Sequence, residues 1–262
     1  MKFLAVASTL LLAGSAIAAP GTAIRRERHA KRAAERAAGK SSLIRKVDAP
    51  ADYETNKTNV DYSQNWAGAV LIGTGYTSVT GTFTVPQPST TGSGTAWVGI
   101  DGDTCASAIL QTGVDWTKSG SSYSYDAWYE WYPDYSYDFT GITISAGNQI
   151  KVTVTATSKT GGTATVDNIS TGKSVTHTFS NEGSEGDLCE TNAEWIVEDY
   201  EEGNSLVQFA DFGSVTFTGA AAVKSGATVG TSGATIIDIQ QNNKVLTDCS
   251  VPSSSEVTCS YV

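Results

Sequence analysis

Apolar and polar residues alternate along many short segments of the chain, which is the pattern of β-strands with one buried face. The segments are Val79–Val85, Ile142–Ile144, Ile150–Ala156, Val215–Phe217 and Ile237–Ile239. Glycine-centred turn signals separate them, and no segment of this part keeps a helical period. The pattern predicts an all-β chain whose main body is a single domain folded as a β-sandwich.

One pair of predicted strands, within residues 95–115, is interrupted by polar residues and glycines. Alternation places Trp97, Gly99 and Asp101 on one face before a turn at Gly102. After the turn, a second set shares a face: Ile109, Gln111, Gly113 and Asp115. Such residues weaken a core and suit a functional site. The pattern alone does not distinguish a site from a half-buried hairpin with one solvated face.

Aromatic and acidic residues concentrate in two further segments, 125–132 and 192–200. Alternation places four residues of the first segment on one face, namely Asp126, Trp128, Glu130 and Tyr132. In the second segment the shared face holds Glu194, Ile196, Glu198 and Tyr200. Aromatic rings beside carboxylates can line a groove for a polymeric substrate, where the pKa of a carboxyl group can be raised. The alternative is an aromatic core with solvated acids around it.

The first residues have the features of a secretory signal peptide. Lys2 supplies a positive charge, Phe3 to Leu12 an apolar stretch, and the small residues up to Ala18 a cleavage site. The predicted signal peptide is residues 1–18, and its apolar stretch is too short to span a bilayer comfortably. We therefore expect a secreted, extracellular protein without a membrane partner.

The charge of the chain changes sign after this segment. Residues 20–46 carry nine Lys and Arg against two Asp and Glu, a net charge of +7, whereas residues 59–262 carry six Lys against 22 Asp and Glu, a net charge of −16. A basic arm can bind nucleic acid, but behind a signal peptide a propeptide that docks on an acidic body is favoured. The prediction is a removable propeptide over residues 19–58, a folded domain over residues 59–262, and no nucleic-acid partner. The acidic composition of the body suits a protein that works at low pH. The alternative explanation is that the acidic residues serve only to keep the protein soluble.

Four cysteines in a secreted chain indicate two disulfides. Cys249 and Cys259 flank a short hairpin-like segment and are natural partners, which leaves Cys105 with Cys189.

The body has one histidine, His177, in an ordinary strand pattern, which disfavours a zinc cluster or a Ser-His-Asp triad. Carboxylates, amides and aromatic rings remain as the groups for catalysis, and no metal or cofactor is expected.

Residue patterns alone leave a peptidase, a glycoside hydrolase and a carbohydrate-binding module open. Five motifs that follow one another through nearly the whole body favour the first. They are Asn65-Trp-Ala-Gly-Ala, Trp97-Val-Gly-Ile-Asp-Gly-Asp, Ala108-Ile-Leu-Gln-Thr-Gly-Val-Asp-Trp116, Tyr125-Asp-Ala-Trp-Tyr-Glu-Trp-Tyr-Pro133 and Thr191-Asn-Ala-Glu-Trp-Ile-Val-Glu-Asp-Tyr200. Through these motifs the chain resembles the fungal glutamic peptidases, or eqolisins.

The resemblance implies a secreted acid endopeptidase, made with a propeptide and folded as a sandwich of two bent antiparallel sheets (jelly-roll or concanavalin-like). It places the family's catalytic Gln on Gln111 and its catalytic Glu on Glu198, not on Glu194. The expected supporting and substrate-binding residues are Trp97, Asp101, Asp115, Trp128 and Glu130, of which the two Asp would orient and tune the catalytic pair. Expected partners are protein or peptide substrates, with the chain's own propeptide as inhibitor, and the protein is expected to be a monomer.

Overall fold

The structure, a computed structural model, describes residues 39–40, 42–50, 60–203 and 205–262. The predicted signal peptide and most of the predicted propeptide lie outside these residues. Within them there is one 3-10 helix, Glu182–Ser184, and no helix has the length and apolar character that a membrane crossing requires. The strands of the described residues are β1 (Gly39–Lys40), β2 (Lys46–Val47), β3 (Val60–Ser63), β4 (Trp66–Ile72), β5 (Tyr76–Thr84), β6 (Gly92–Ile100), β7 (Ile109–Ser119), β8 (Ser122–Tyr132), β9 (Tyr137–Asp138), β10 (Gln149–Ser158), β11 (Gly161–Asn168), β12 (Lys173–Ser180), β13 (Asn192–Glu198), β14 (Glu201–Glu202), β15 (Ser205–Leu206), β16 (Ser214–Lys224), β17 (Ala227–Val229), β18 (Thr235–Gln241), β19 (Lys244–Val245), β20 (Thr247–Ser253) and β21 (Glu256–Tyr261).

Two large sheets pack face to face. The front sheet has ten strands in the order β2-β3-β18-β4-β13-β6-β7-β8-β9, with β19 beside β18. The back sheet has eight strands in the order β12-β11-β10-β5-β16-β21-β20, with β17 beside β16. The pairings are antiparallel except that β3 runs parallel to β18. The predicted all-β sandwich is confirmed.

The main apolar core lies between the two sheets. In β10 of the back sheet, Ile150, Val152 and Val154 are fully buried and alternate with residues that reach solvent. Full burial of one such side chain stabilises the fold by about 1.5–3 kcal/mol. In β10 the apolar residues face the core and the polar residues between them face solvent, as the alternation in the sequence predicts.

The central strands of the front sheet are buried on both faces. Every residue of β6 and of β13 is buried. Their inner side chains belong to the core between the sheets, whereas the opposite face of the front sheet carries a second apolar cluster. We call it the outer cluster; its members are Trp66, Val70, Trp97, Ile109, Trp128, Ile196 and Ile237.

Both predicted disulfides are present. Cys249 and Cys259 lie directly opposite each other on β20 and β21. Cys105 is joined to Cys189 over a sequence separation of 84 residues, and it ties the loop after β6 to the loop before β13. This second bond fixes the entry of β13 relative to β6, and these two strands carry several of the candidate site residues.

One predicted strand is wrong. Residues Ile142–Ile144 alternate in sequence but form no strand. Gly141 and Gly147, on either side, have positive φ angles of 85° and 82°, which turn the chain away from an extended path. The carbonyl of Thr143 accepts a hydrogen bond from the side chain of Asn168. The alternation reflects the packing of Ile144 into the core.

Asn168 begins the sequence Asn-Ile-Ser, which is a possible glycosylation site. Its side chain is fully buried at the end of β11. The amide nitrogen donates to the Thr143 carbonyl and to Asn148 Oδ1, both at 2.9 Å. In the folded domain this nitrogen is committed to the packing of two loops and has no room for a glycan.

Candidate active site

The candidate residues lie on the outer face of the front sheet, because side chains of directly opposed strand residues point to the same face. Three rows cross the central strands in register. The first row is Glu198, Thr95, Asp115 and Asp126; the second is Ile196, Trp97, Gly113 and Trp128; the third is Glu194, Gly99, Gln111 and Glu130. The predicted hairpin of residues 95–115 is therefore β6 and β7, and its polar face is the face that carries the other candidates.

Glu198 is the last residue of β13 and is fully buried. The indole Nε1–H of Trp97 donates to its Oε2 at 2.8 Å. The other oxygen, Oε1, is reached by the Asn65 amide at 3.5 Å and by the backbone N–H of Ser42 at 3.2 Å. Hydrogen-bond donors on both oxygens fix the orientation of the carboxyl group.

The Trp97 ring extends from Glu198 towards Gln111, and two glycines make room for it. A Cβ atom on Gly99 would lie 2.8 Å from Trp97 Cζ3 and 3.4 Å from Gln111 Cβ. A Cβ atom on Gly113 would lie 2.6 Å from Trp97 Cβ. A larger residue at position 99 would displace the ring, and one at position 113 would clash with the Ala96 carbonyl oxygen and with Cα and Cβ of Trp97, which explains why glycine interrupts both strands here. The indole thus sets the spacing between Glu198 and Gln111.

Gln111 is fully buried in β7, between Gly99 on one neighbouring strand and Glu130 on the other. Glu130 is also fully buried, so its carboxyl group shares a dry face with the Gln111 amide. Trp128 lies two residues away on the same strand as Glu130, and its Nε1–H donates to Thr95 Oγ1 at 3.1 Å. Cross-strand neighbours at this spacing restrict the Gln111 side chain to few conformations.

Asp115 is half-buried, in the same row as Glu198 but two strands away, with Thr95 between them. Thr95 itself donates to the Val114 carbonyl at 3.1 Å. The row therefore places Asp115 at the border of the face, beside Asp126 of the next strand. This position suits a residue that shapes the end of the groove.

Asp101 has a different position from the other candidates. It follows the last residue of β6 with a positive φ of 70°, and its carboxylate accepts four backbone N–H groups from residues 189–192 at 2.7–3.2 Å. It lies close to the sulfurs of Cys105 and Cys189, but these form a disulfide and offer no thiolate to a metal ion. Asp101 thus anchors the loop that leads into β13, the strand that ends with Glu198.

Glu194 is the second buried acid of β13 and faces the same side as Glu198. Burial raises its pKa well above the ordinary value, and the nearby charges of Asp101 and Asp103 raise it further, against a hydrogen bond from the Asp103 backbone. A carboxyl group in this position is held in its neutral form over the acidic range. It lies directly opposite Gly99, in the row of Gln111.

Residues of the predicted propeptide lie on the same face. The backbone N–H of Ser42 donates to Glu198, and Leu43 and Ile44 pack against the outer cluster. After Arg45, Lys46 and Val47 form β2 and pair with β3 at the end of the front sheet. We call residues 42–47 the docked segment. It covers the carboxyl group of Glu198, on which the resemblance places the catalytic Glu.

Charged contacts fasten the docked segment. Lys46 Nζ lies 2.7 Å from Asp103 Oδ1 and 3.1 Å from Asp61 Oδ2. Arg45 forms a third ion pair, with Glu201. The Asp103 side chain is completely covered, whereas 44% of the Lys46 side chain is exposed. The opposite charges of the arm and the body therefore meet directly at this segment.

Asn65 is a site residue that sequence reasoning did not single out, although it begins one of the recognised motifs. It is fully buried between β3 and β4, and its amide contacts both Glu198 and the docked segment. The signal that could have found it is a buried polar residue directly before the apolar strand β4.

Asp199, the residue after Glu198, is 1% exposed, and burial raises its pKa to about 7 despite a hydrogen bond from Gln241 Nε2 at 2.7 Å. Between about pH 4 and pH 7 the folded protein keeps a proton that the unfolded chain has released, so the free energy of unfolding falls as the pH rises through this range. Asp199→Asn removes this dependence, and we expect it to gain up to about 4 kcal/mol relative to the parent between pH 4 and pH 7.

Urea unfolding of both proteins at several pH values measures this difference. Asp248→Asn, at an exposed position, is the matched control and is expected to give no comparable gain. An Asp199→Asn curve parallel to that of the parent would show that Asp199 titrates normally.

A β-sandwich that carries a buried Gln and a buried Glu on one sheet face has the arrangement expected of a glutamic peptidase. Residues 64–261 match the Peptidase A4 family, and the chain belongs to that family. The resemblance seen in the motifs is thereby confirmed. The protein is a peptide hydrolase, and the glycoside hydrolase and carbohydrate-binding alternatives are set aside.

Particular relatives agree with this assignment. The chain is 55% identical to Aspergillopepsin-2 of Aspergillus niger over 284 residues and 48% identical to Scytalidopepsin B of Scytalidium lignicola over 273 residues, with 100% of each chain covered in both cases. Its structure is similar to a crystal structure of scytalido-glutamic peptidase with a transition state analog inhibitor. The TM-score is 0.72 at 51% identity, and the match covers 76% of this chain and 98% of that chain.

Proposed function

We propose that the protein is a secreted acid endopeptidase in which Glu198 is the general base and Gln111 the oxyanion donor. The observation that carries the proposal is that both side chains are buried on one face of the front sheet with the Trp97 indole between them. The net charge of −16 on residues 59–262 supports work at low pH, because protonation of carboxylates lowers their mutual repulsion.

The proposed reaction needs no covalent intermediate. A water molecule between Glu198 and Gln111 gives a proton to the carboxylate as its oxygen attacks the peptide carbonyl carbon. The Gln111 amide N–H donates to the developing oxyanion, which contributes about 3–4 kcal/mol for comparable donors. The protonated Glu198 then returns its proton to the leaving amine.

The other site residues support this pair. Trp97 holds the Glu198 carboxyl group, and Glu130 lies beside Gln111 on the next strand. Trp128 and the remaining rings of the outer cluster form apolar walls against which side chains of a peptide can pack. The expected substrates are proteins and peptides.

The test is to incubate the acid-treated protein with a denatured protein at about pH 3 and at about pH 7 and to identify the products. The expected result is internal cleavage at low pH, absent from a Glu198→Gln preparation made in the same way. Release of single terminal residues would contradict an endopeptidase, and faster cleavage at neutral pH would contradict an acid enzyme.

We further propose that the docked segment inhibits the enzyme until acid releases it. The Ser42 N–H occupies one oxygen of the proposed base, where the nucleophilic water would have to bind. Lys46 holds the segment through Asp103 and Asp61. As the pH falls, the acidic body as a whole takes up protons and loses negative charge, whereas the basic residues of the arm keep their charge, so the attraction between arm and body weakens.

The separately produced arm, residues 20–58, is expected to inhibit the mature enzyme more strongly at about pH 6 than at about pH 3, and less strongly in high salt. Inhibition constants at both pH values and two salt concentrations measure this. An arm with Lys46→Gln is the matched control, and its inhibition of the enzyme should depend less on pH and on salt concentration. If inhibition by the parent arm were indifferent to pH and salt, its backbone and apolar contacts would be the mechanism, not its charge.

A further inference from the structure

The side-chain amide of Asn65 contacts the backbone of the docked segment with both of its polar atoms. Its Nδ2 donates to the carbonyl of Leu43 at 3.2 Å and to that of Ser42 at 3.4 Å. Its Oδ1 accepts the backbone N–H of Arg45 at 2.9 Å. Its one side-chain contact with the segment is from Nδ2 to Ser42 Oγ at 3.0 Å. An amide used in this way recognises a carbonyl and an N–H of an extended chain and depends little on the side chains of that chain.

The neighbours of Asn65 add to this recognition. The Trp66 indole N–H donates to the Ser42 carbonyl at 3.0 Å, and the backbone N–H of Gln64 donates to the Arg45 carbonyl at 2.9 Å. Apart from Ser42 Oγ, the partners of these three residues on the docked segment are backbone atoms. The corner between β3 and β4 therefore presents a row of donors and one acceptor that fits a polypeptide main chain.

The Asn65 amide is held in place by the protein itself. Ser63 Oγ donates to its Oδ1 at 2.9 Å and accepts the backbone N–H of Asn65 at 3.2 Å and that of Trp66 at 3.1 Å. The Nδ2 atom also lies 3.5 Å from Glu198 Oε1. A chain bound to this amide is consequently held directly beside the proposed base. When the docked segment leaves, the same hydrogen-bonding atoms of Asn65 become available to another extended chain.

We infer that Asn65 is a substrate-positioning residue, which binds one carbonyl and one N–H of the substrate main chain and holds the peptide beside Glu198. The inference rests on the proposed function, since it assigns the docked segment's place to the substrate. It accounts for one buried polar residue that the catalytic pair does not use. It also predicts that binding at this position is indifferent to substrate side chains.

The first test is Asn65→Ala in the acid-activated enzyme. The KM for an oligopeptide substrate is expected to rise about 10- to 100-fold, with a smaller change in kcat and no shift of the pH profile of kcat. Gln87→Ala, which removes an exposed amide elsewhere, is the control and should keep the parent KM. Thermal unfolding of each variant shows whether it is folded. A folded Asn65→Ala enzyme with KM within about twofold of the parent would overturn the inference.

The second test does not depend on catalysis. A synthetic peptide of residues 39–50 is titrated into the acid-activated forms of the parent and Asn65→Ala proteins, which have lost their own docked segment. A second peptide, in which an ester oxygen replaces the Arg45 N–H, is titrated in the same way. The ester should weaken binding to the parent about 10-fold and leave binding to Asn65→Ala nearly unchanged. Equal losses on both proteins would mean that Asn65 Oδ1 does not bind this N–H. A further outcome is that the ester weakens binding to the parent but not to Asn65→Ala, while no protein in the series cleaves substrate. In that case the proposed function fails, and recognition of the peptide backbone by Asn65 stands.

Should Asn65→Ala fail to fold, the ester peptide on the parent still decides the question. An ester at Ala49, beyond the end of β2, is the control peptide. Loss of binding with the ester at residue 45 but not at residue 49 supports the inference. Equal binding of both ester peptides and the unmodified peptide overturns it.

Discussion

Replacement of Glu198 by Gln is expected to lower kcat about 10²- to 10⁴-fold, the range contributed by a general base. The substitution keeps the size of the side chain and an oxygen that can accept the Trp97 N–H, so the groove should keep its shape. It removes the group that takes the proton from water. Steady-state kinetics on one peptide at low pH, with a thermal unfolding curve for each variant, measure the effect.

Glu194→Gln is the matched control for this experiment. Glu194 lies on the same strand and the same face, and it is equally buried. Its carboxyl group is kept neutral by burial and by neighbouring acids, so an uncharged amide replaces it with little change at low pH. Most of the activity should remain. A Glu198→Gln enzyme that keeps most of its turnover, or a Glu194→Gln enzyme that loses it, would show that the base is wrongly assigned.

Gln111→Ala is expected to lower kcat about 10²- to 10³-fold while KM changes much less, because an oxyanion donor acts mainly in the transition state. Gln111 is buried beside the Trp97 ring, and the indole N–H groups of Trp97 and Trp128 already donate to Glu198 and Thr95, so its loss leaves the oxyanion without the proposed amide donor. The same kinetic assay separates the two parameters. A large rise in KM with an unchanged kcat would indicate that Gln111 binds the ground state only.

Gln111→Glu tests the chemistry at this position in another way. A second carboxylate opposite Glu198 would repel the developing oxyanion and should abolish peptide hydrolysis. An enzyme that works with two carboxyl groups, such as a glycoside hydrolase, would tolerate the same change. Substantial peptidase activity in Gln111→Glu would therefore contradict the role of Gln111 as an amide donor.

Alternation predicted the strands well where one face is buried and the other is wet, as in β10. It failed at Ile142–Ile144, where two glycines with positive φ and a side-chain hydrogen bond replace a sheet partner. The two cysteine pairs followed from spacing and elimination. Local sequence thus predicts elements whose environment repeats along the chain, and it fails where distant residues decide the backbone.

The site was predicted only in part. Alternation placed Glu194 and Glu198 on one face but could not choose between them, and the choice came from the family motif. The anchoring of residues 189–192 by Asp101 and the contact of Asn65 with Glu198 join positions 88 to 133 residues apart. The alternation of apolar and polar residues within a strand cannot predict such contacts, because they depend on the order of the strands in the front sheet.

The position of β2 has a consequence for the processed protein. β2 pairs with β3, and β3 has β18 on its other side. Removal of the arm would make β3 the end of the sheet and expose its unpaired backbone groups next to the new terminus. An open strand edge of this kind invites pairing with another extended chain, whether a partly unfolded neighbour or an identical molecule. Removal of the arm would then uncover a sheet edge that the chain itself covers before processing. The tendency of the processed protein to aggregate would depend on how short and how acidic the β3 edge is.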